Sequence, residues 1–174
     1  MRGQSLTCLL SALAFGSAGA AEVSKSEPAR TANRDAFVCP VTVVNEGKGG
    51  VYGNEALDVV LNPGGKFVFA PGGAGFVDRD GALGIKVGWE RRKKGPLQLS
   101  GRRLDGPAGP ARAYIYDYGD IGFQPIYLVF PTPGCWEITG RVADASLTFV
   151  AVVEKIGDGP GKFEGLGSGW RVSR

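Results

Sequence analysis

The stretch that most constrains this chain is Ile126 to Val153, IYLVFPTPGCWEITGRVADASLTFVAVV. Its first part, Ile126–Phe130, is an apolar run. It stops at Pro131-Thr132-Pro133-Gly134, where two prolines fix φ and a glycine admits positive φ. Gly134–Arg141 then alternates, with Trp136 and Ile138 on one face and Glu137 and Thr139 on the other. Ala143-Asp144-Ala145 turns the chain again, and Ser146–Val153 is rich in β-branched and aromatic residues. Strands of this kind bury a Trp136/Ile138/Leu147/Phe149 face only against a second sheet. The stretch predicts an all-β fold, an antiparallel sandwich with that face at its centre.

The upstream sequence continues the pattern, giving about eight to ten short strands separated by turn signals and no amphipathic helix. Phe37–Val44 reads as a first strand, with Pro40 suited to an edge. Ala56–Leu61 and Lys66–Ala70 read as a hairpin about Asn62-Pro63-Gly64-Gly65. Leu83–Trp89 puts Leu83, Ile85, Val87 and Trp89 on one face; Leu97–Gly101 points Leu97 and Leu99 together. In Ala111–Tyr116, Tyr114 and Tyr116 oppose Ile115. The predicted common core is Trp136, Ile138, Leu147, Phe149, Leu97, Leu99, Ile85 and Val87.

The 174 residues suffice for one such domain with flanking segments. Residues 1–20 read as a secretory signal peptide, with Arg2 as the positive region, an apolar Leu6–Phe15, and Ala18-Gly19-Ala20 for cleavage. Residues 21–36 read as a flexible leader, 37–155 as the sandwich, and 156–174 as a glycine-rich flexible tail in which Trp170 is the candidate for docking. No segment has the roughly 20 apolar residues of a membrane span. The implied location is exported, periplasmic or extracellular. Of three cysteines, Cys8 leaves with the signal, and Cys39 and Cys135 are expected to form one disulfide in an oxidising compartment.

Composition also excludes chemistry. The chain has no histidine, so Ser-His-Asp and Cys-His catalysis are ruled out and the commonest metal ligand is missing. A net charge of +3, about +2 without Arg2, does not suggest a nucleic-acid partner. No cofactor or metal is expected. Asp78-Arg79-Asp80-Gly81 has the opening spacing of a calcium loop, but Glu90 is wrongly placed to close it, and a hydrophilic turn explains it better.

The less generic stretches are charged. Arg91-Arg92-Lys93-Lys94 beside Trp89 suits an anionic ligand or a solvated loop. Arg102-Arg103-Leu104-Asp105 and Asp117-Tyr118-Gly119-Asp120 flank one strand, which sets them at opposite ends of it unless the loops fold back. An arginine–carboxylate pair pinning these Gly/Pro-rich loops is expected, from Arg102 or Arg103 to Asp105 or to the Asp117–Asp120 loop. The candidate ligand residues are Trp89, Arg91, Arg92, Arg102, Arg103, Asp105, Tyr118 and Asp120.

The segments GRRLD, YGDIGFQP, FPTPGCWEITG and SLTFV together resemble a group of exported bacterial proteins of unknown function, over roughly Val38 to Val153. The hairpin PGCWEITG…LTFV also resembles the closing strands of bacterial immunoglobulin-like domains, which implies an immunoglobulin-like sandwich. The chain departs from the immunoglobulin pattern in that Trp136 directly follows Cys135. Neither resemblance implies an activity. The expected function is a non-enzymatic extracytoplasmic binding or interaction module, its partner an unknown protein or anionic ligand. The alternatives are a secreted hydrolase using Asp105, Asp117 and Asp120, or an accessory domain binding an anionic polymer through Arg91–Lys94 and Arg102/Arg103.

Overall fold

Alternation along each strand decides which side chains meet, and the computed structural model, which describes residues 37–44, 50–163, 165 and 170–173, shows where they meet. The expected signal peptide and leader lie outside the described residues. The strands are β1 (Val51–Gly53), β2 (Leu57–Val60), β3 (Lys66–Phe69), β4 (Phe76–Val77), β5 (Leu83–Arg91), β6 (Gln98–Arg103), β7 (Arg112–Tyr116), β8 (Gly122–Phe130), β9 (Gly134–Val142), β10 (Ala145–Lys155) and β11 (Trp170–Ser173). They form an all-β sandwich. One sheet runs β1-β2-β5-β8-β7-β11, with β4 also on β5; the other runs β3-β10-β9-β6. No helix among the described residues is long and apolar enough to cross a membrane.

All eight residues predicted for the core are buried in one cluster between the sheets. Trp136 is 0% exposed, so the register read from the β9 alternation is the one adopted. Its ring meets Phe130 at 5.6 Å, and its indole N–H donates to the Thr132 carbonyl at 3.0 Å. Opposite it in the core, Trp89 lies against the backbone of β9 at Gly140, where a Cβ would fall 2.5 Å from the ring. A side chain at that position would force the sheets apart.

Three expectations change. Ala56–Leu61 and Lys66–Ala70 are not a hairpin. β3 crosses to the other sheet and pairs with β10 in parallel, while the remaining ladders are antiparallel. The turn carries positive φ at Gly64 and Gly65, which lets Leu57/Val59/Leu61 and Phe67/Phe69 enter the core from opposite sheets. Residues 37–44 are not a strand. Pro40 has no N–H, the Val41 N–H turns back to the Cys39 carbonyl at 2.9 Å, and only Thr42 joins β10, at Val150. Finally, the described tail residues are seated. The Phe163 N–H donates to the Val77 carbonyl, the Val77 N–H donates to that of Gly161, and the Phe163 ring stacks on Phe76 at 4.1 Å, covering the outer face near Tyr114 and Tyr127. β11 pairs with β7 over four residues, Trp170↔Tyr116 to Ser173↔Ala113. Aromatic burial and an unfilled sheet edge outweigh the entropy of the glycines.

Cys39 and Cys135 form the expected disulfide, Cα atoms 5.6 Å apart. Cys135 shares the outward parity of Glu137 and Thr139, so the bond lies outside the core cluster although Cys135 is buried.

Candidate ligand site

Most of the charges singled out in the sequence are spent on the protein itself. Arg91 is 1% exposed. It donates to the carbonyls of Gly95 and Gly119 at 3.0 Å, and more weakly to Tyr118 and Gly122 at 3.3 and 3.4 Å, so it organises the 117–122 loop from beneath. Burial lowers its pKa from the usual arginine value, while Asp120, Glu90 and Asp117 pull it back up. Arg92 pairs with Asp58 and reaches the Asn54 carbonyl; Lys93 pairs with Asp144 at 2.9 Å. The basic run is therefore no contiguous stripe. Arg102 pairs with Glu137 at 2.7 Å on the outer face. Trp89 is 1% exposed in the core, closed to any surface ligand, and its indole N–H meets no acceptor among the described residues.

The expected loop-pinning pair is Arg103 with Asp105, at 2.6 Å, and Arg103 also reaches Thr132 Oγ1 at 3.3 Å. The Arg103 bond holds the Asp105 carboxyl below the usual carboxylate range despite partial burial. The Asp117–Asp120 loop takes no part. It lies by Gly122, at the start of β8, whereas Thr132 follows the end of β8, roughly 25–30 Å away along nine residues. The carboxylates of the hydrolase reading are thus not brought together. Tyr118 and the Asp120 side chain stay at the surface, Tyr118 edge-on to Tyr116 at 6.1 Å.

A cluster the sequence did not single out lies on the outer face of the larger sheet. Arg112 Nη2 is 2.8 Å from both Asp78 Oδ2 and Asp80 Oδ2, and the Tyr114 hydroxyl donates to Asp78 Oδ2 at 2.7 Å. The Arg79 amide donates to Asp78 Oδ1. Burial would raise the Asp78 pKa, but the bonds from Tyr114, Arg112 and Arg79 outweigh it and hold the carboxyl below its ordinary value. Burial likewise opposes the Arg112 charge, and its bonded partners raise its pKa above that of free arginine. The phenol of Tyr114 is pushed up by burial and by the neighbouring carboxylate. The carboxylates of the Asp78–Gly81 turn bond Arg112, and no group of three or more His, Cys, Asp or Glu among the described residues is arranged to hold a metal ion. The available signal was the outward parity of Arg112 and Tyr114 on β7, beside an acidic turn.

Beside this cluster opens a cleft of about 440 Å³. Tyr114, Pro110, Pro131 and Val172 line it together with the charged Arg112 and Asp80. On the other side of Asp78 a second cleft, about 400 Å³, runs between Arg79, Lys162 and Phe163. The first offers apolar lining and a fixed cluster of one arginine with two carboxylates: shape and orientation for a ligand. No family model, no curated protein and no solved structure matches the chain.

Proposed function

We propose that this chain is a non-enzymatic binding module of an extracytoplasmic compartment, and that it takes a protein ligand at the cleft beside β7. The observation that carries the reading is the state of the charges around that cleft. Asp78 is saturated by Arg112, Tyr114 and a backbone amide, and Asp80 pairs with Arg112, so the charged groups near the opening are committed to positioning one another. Such a site recognises without transforming. The disulfide and the N-terminal sequence pattern support the compartment.

The test is selection of peptides from a displayed random library by the oxidised protein, with Pro110→Glu as the control. That change adds a carboxylate to an exposed lining residue of the cleft that is not part of β11, so melting should stay within a few degrees while selected peptides lose at least about tenfold in affinity. A protein that selects nothing, or whose peptides ignore Pro110→Glu, would refute the assignment, as would turnover of the bound peptides.

A further inference from the structure

Within that binding-module reading, we infer that β7 is a strand-accepting edge occupied in cis by β11, and that an extended segment of another polypeptide binds by displacing β11. The argument begins with how weakly β11 is secured. It is last in its sheet, and no strand among the described residues pairs with its outer edge. Its attachment is a four-residue antiparallel ladder, and the side chains of Arg171 and Val172 are exposed, Val172 at 53%. By contrast β10 buries Leu147, Phe149, Ala151 and Val153 in the core. A short edge ladder with the Arg171 and Val172 side chains in solvent is an element that opens readily.

The edge left behind would stay in shape. Ala113 and Ile115 are buried in the core, β8 holds the far side of β7, and Arg112 and Tyr114 are fixed by Asp78 and Asp80. None of these ties involves β11. A preformed edge accepts a strand at lower entropic cost than one that must be ordered. Main-chain pairing gives affinity in this mode of recognition, and pockets for alternate side chains give specificity. The pocket is present. Val172, in register with Tyr114, lines the 440 Å³ cleft as one wall and leaves it open. A larger apolar side chain at that register would fill it between Pro110 and Pro131. The partner is therefore an extended, unfolded polypeptide segment carrying a large apolar residue opposite Tyr114.

The experiment uses the full oxidised chain and a fluorescent peptide Gly-Trp-Arg-Val-Ser-Arg, the sequence of residues 169–174, read by anisotropy. Alternate residues of an antiparallel ladder donate across it. The double substitution Arg171→Pro/Val172→Pro therefore removes whichever N–H faces β7. It should bind the peptide at least about tenfold tighter than wild type, because the cis competitor is gone. A peptide with Phe in place of Val should bind tighter still. Equal affinity of variant and wild type, or no binding by a variant that melts normally, overturns the inference. Hydrogen exchange on wild type is independent of the variant's folding: amides paired between β7 and β11 should exchange at least about a hundredfold faster than those between β7 and β8, and equal protection would overturn it too. A concentration-dependent wild-type dimer abolished by the double substitution would assign the edge to a second copy's β11 and overturn the partner named above. If library peptides remain sensitive to Pro110→Glu while the proline variant gains nothing, only the cis competitor falls; loss of both effects removes the binding-module reading as well.

Discussion

Replacing Arg91 with Met discriminates between a ligand-gripping arginine and a scaffold arginine. Met keeps most of the length and apolar stem while deleting the guanidinium. Two acceptors at 3.0 Å, the Gly95 and Gly119 carbonyls, would lose well-made charge-assisted bonds; the bonds at 3.3 and 3.4 Å are long and count for little. A stranded buried acceptor costs about 1–3 kcal/mol, so two give roughly 2–6. Relief of the buried charge and rehydration of loop carbonyls offset part of this, leaving about 2–4 kcal/mol. Urea unfolding followed by tryptophan fluorescence should show that drop in midpoint at unchanged slope. Arg91→Lys should fare little better, since one ammonium cannot span acceptors on both sides of the loop. A variant within about 0.5 kcal/mol of wild type would refute the scaffold argument. Unchanged stability with lost ligand binding would return Arg91 to the surface chemistry that a four-residue basic run suggests.

Trp136→Ala should destabilise by about 3–5 kcal/mol in the same assay, through a cavity beside Phe130 and a lost bond to the Thr132 carbonyl; a change under about 1 kcal/mol would mean that the two sheets do not meet there. Asp78, whose folded pKa lies below the unfolded value of 3.8, contributes stability that is complete above that value and is lost as pH falls through the folded pKa. Asp78→Asn should accordingly flatten the acid limb of an unfolding-versus-pH curve below about pH 4, and an unchanged limb would dissociate the carboxylate from stability. Cys39→Ala/Cys135→Ala should lower stability by up to about 5 kcal/mol, given 96 residues of separation, and unreduced wild type should show no thiol titre among Cys39 and Cys135.

Strand faces were legible because period-two alternation is a local signal. Leu83, Ile85, Val87 and Trp89 announced the core face of β5, and one further step on the same parity reaches Arg91. Read by parity the arginine belongs inside; read by composition it belongs to a basic surface run, and composition misled. Arg103–Asp105 was legible for the same reason of proximity, two residues apart. The Asp78–Arg112 pair, 34 residues apart, was not, because it depends on which strands adjoin. Turn residues mark where a chain reverses and leave open which sheet receives it. That is why β3 read as a hairpin partner, and why β11, four residues after a glycine-rich run, read as tail.

The disulfide also sets how the fold would respond to tension. A pull on the chain flanking Cys39 and Cys135 passes directly from one sulfur to the other. It bypasses every strand from β1 to β8, and the 96-residue interval contributes no extension, withholding roughly 320–345 Å of contour. On the C-terminal side the force first meets the four-residue β11–β7 ladder, and the nine-residue β9–β10 ladder takes it once β11 is released. A reduced chain would lack that shield and would lengthen from its first strands inward.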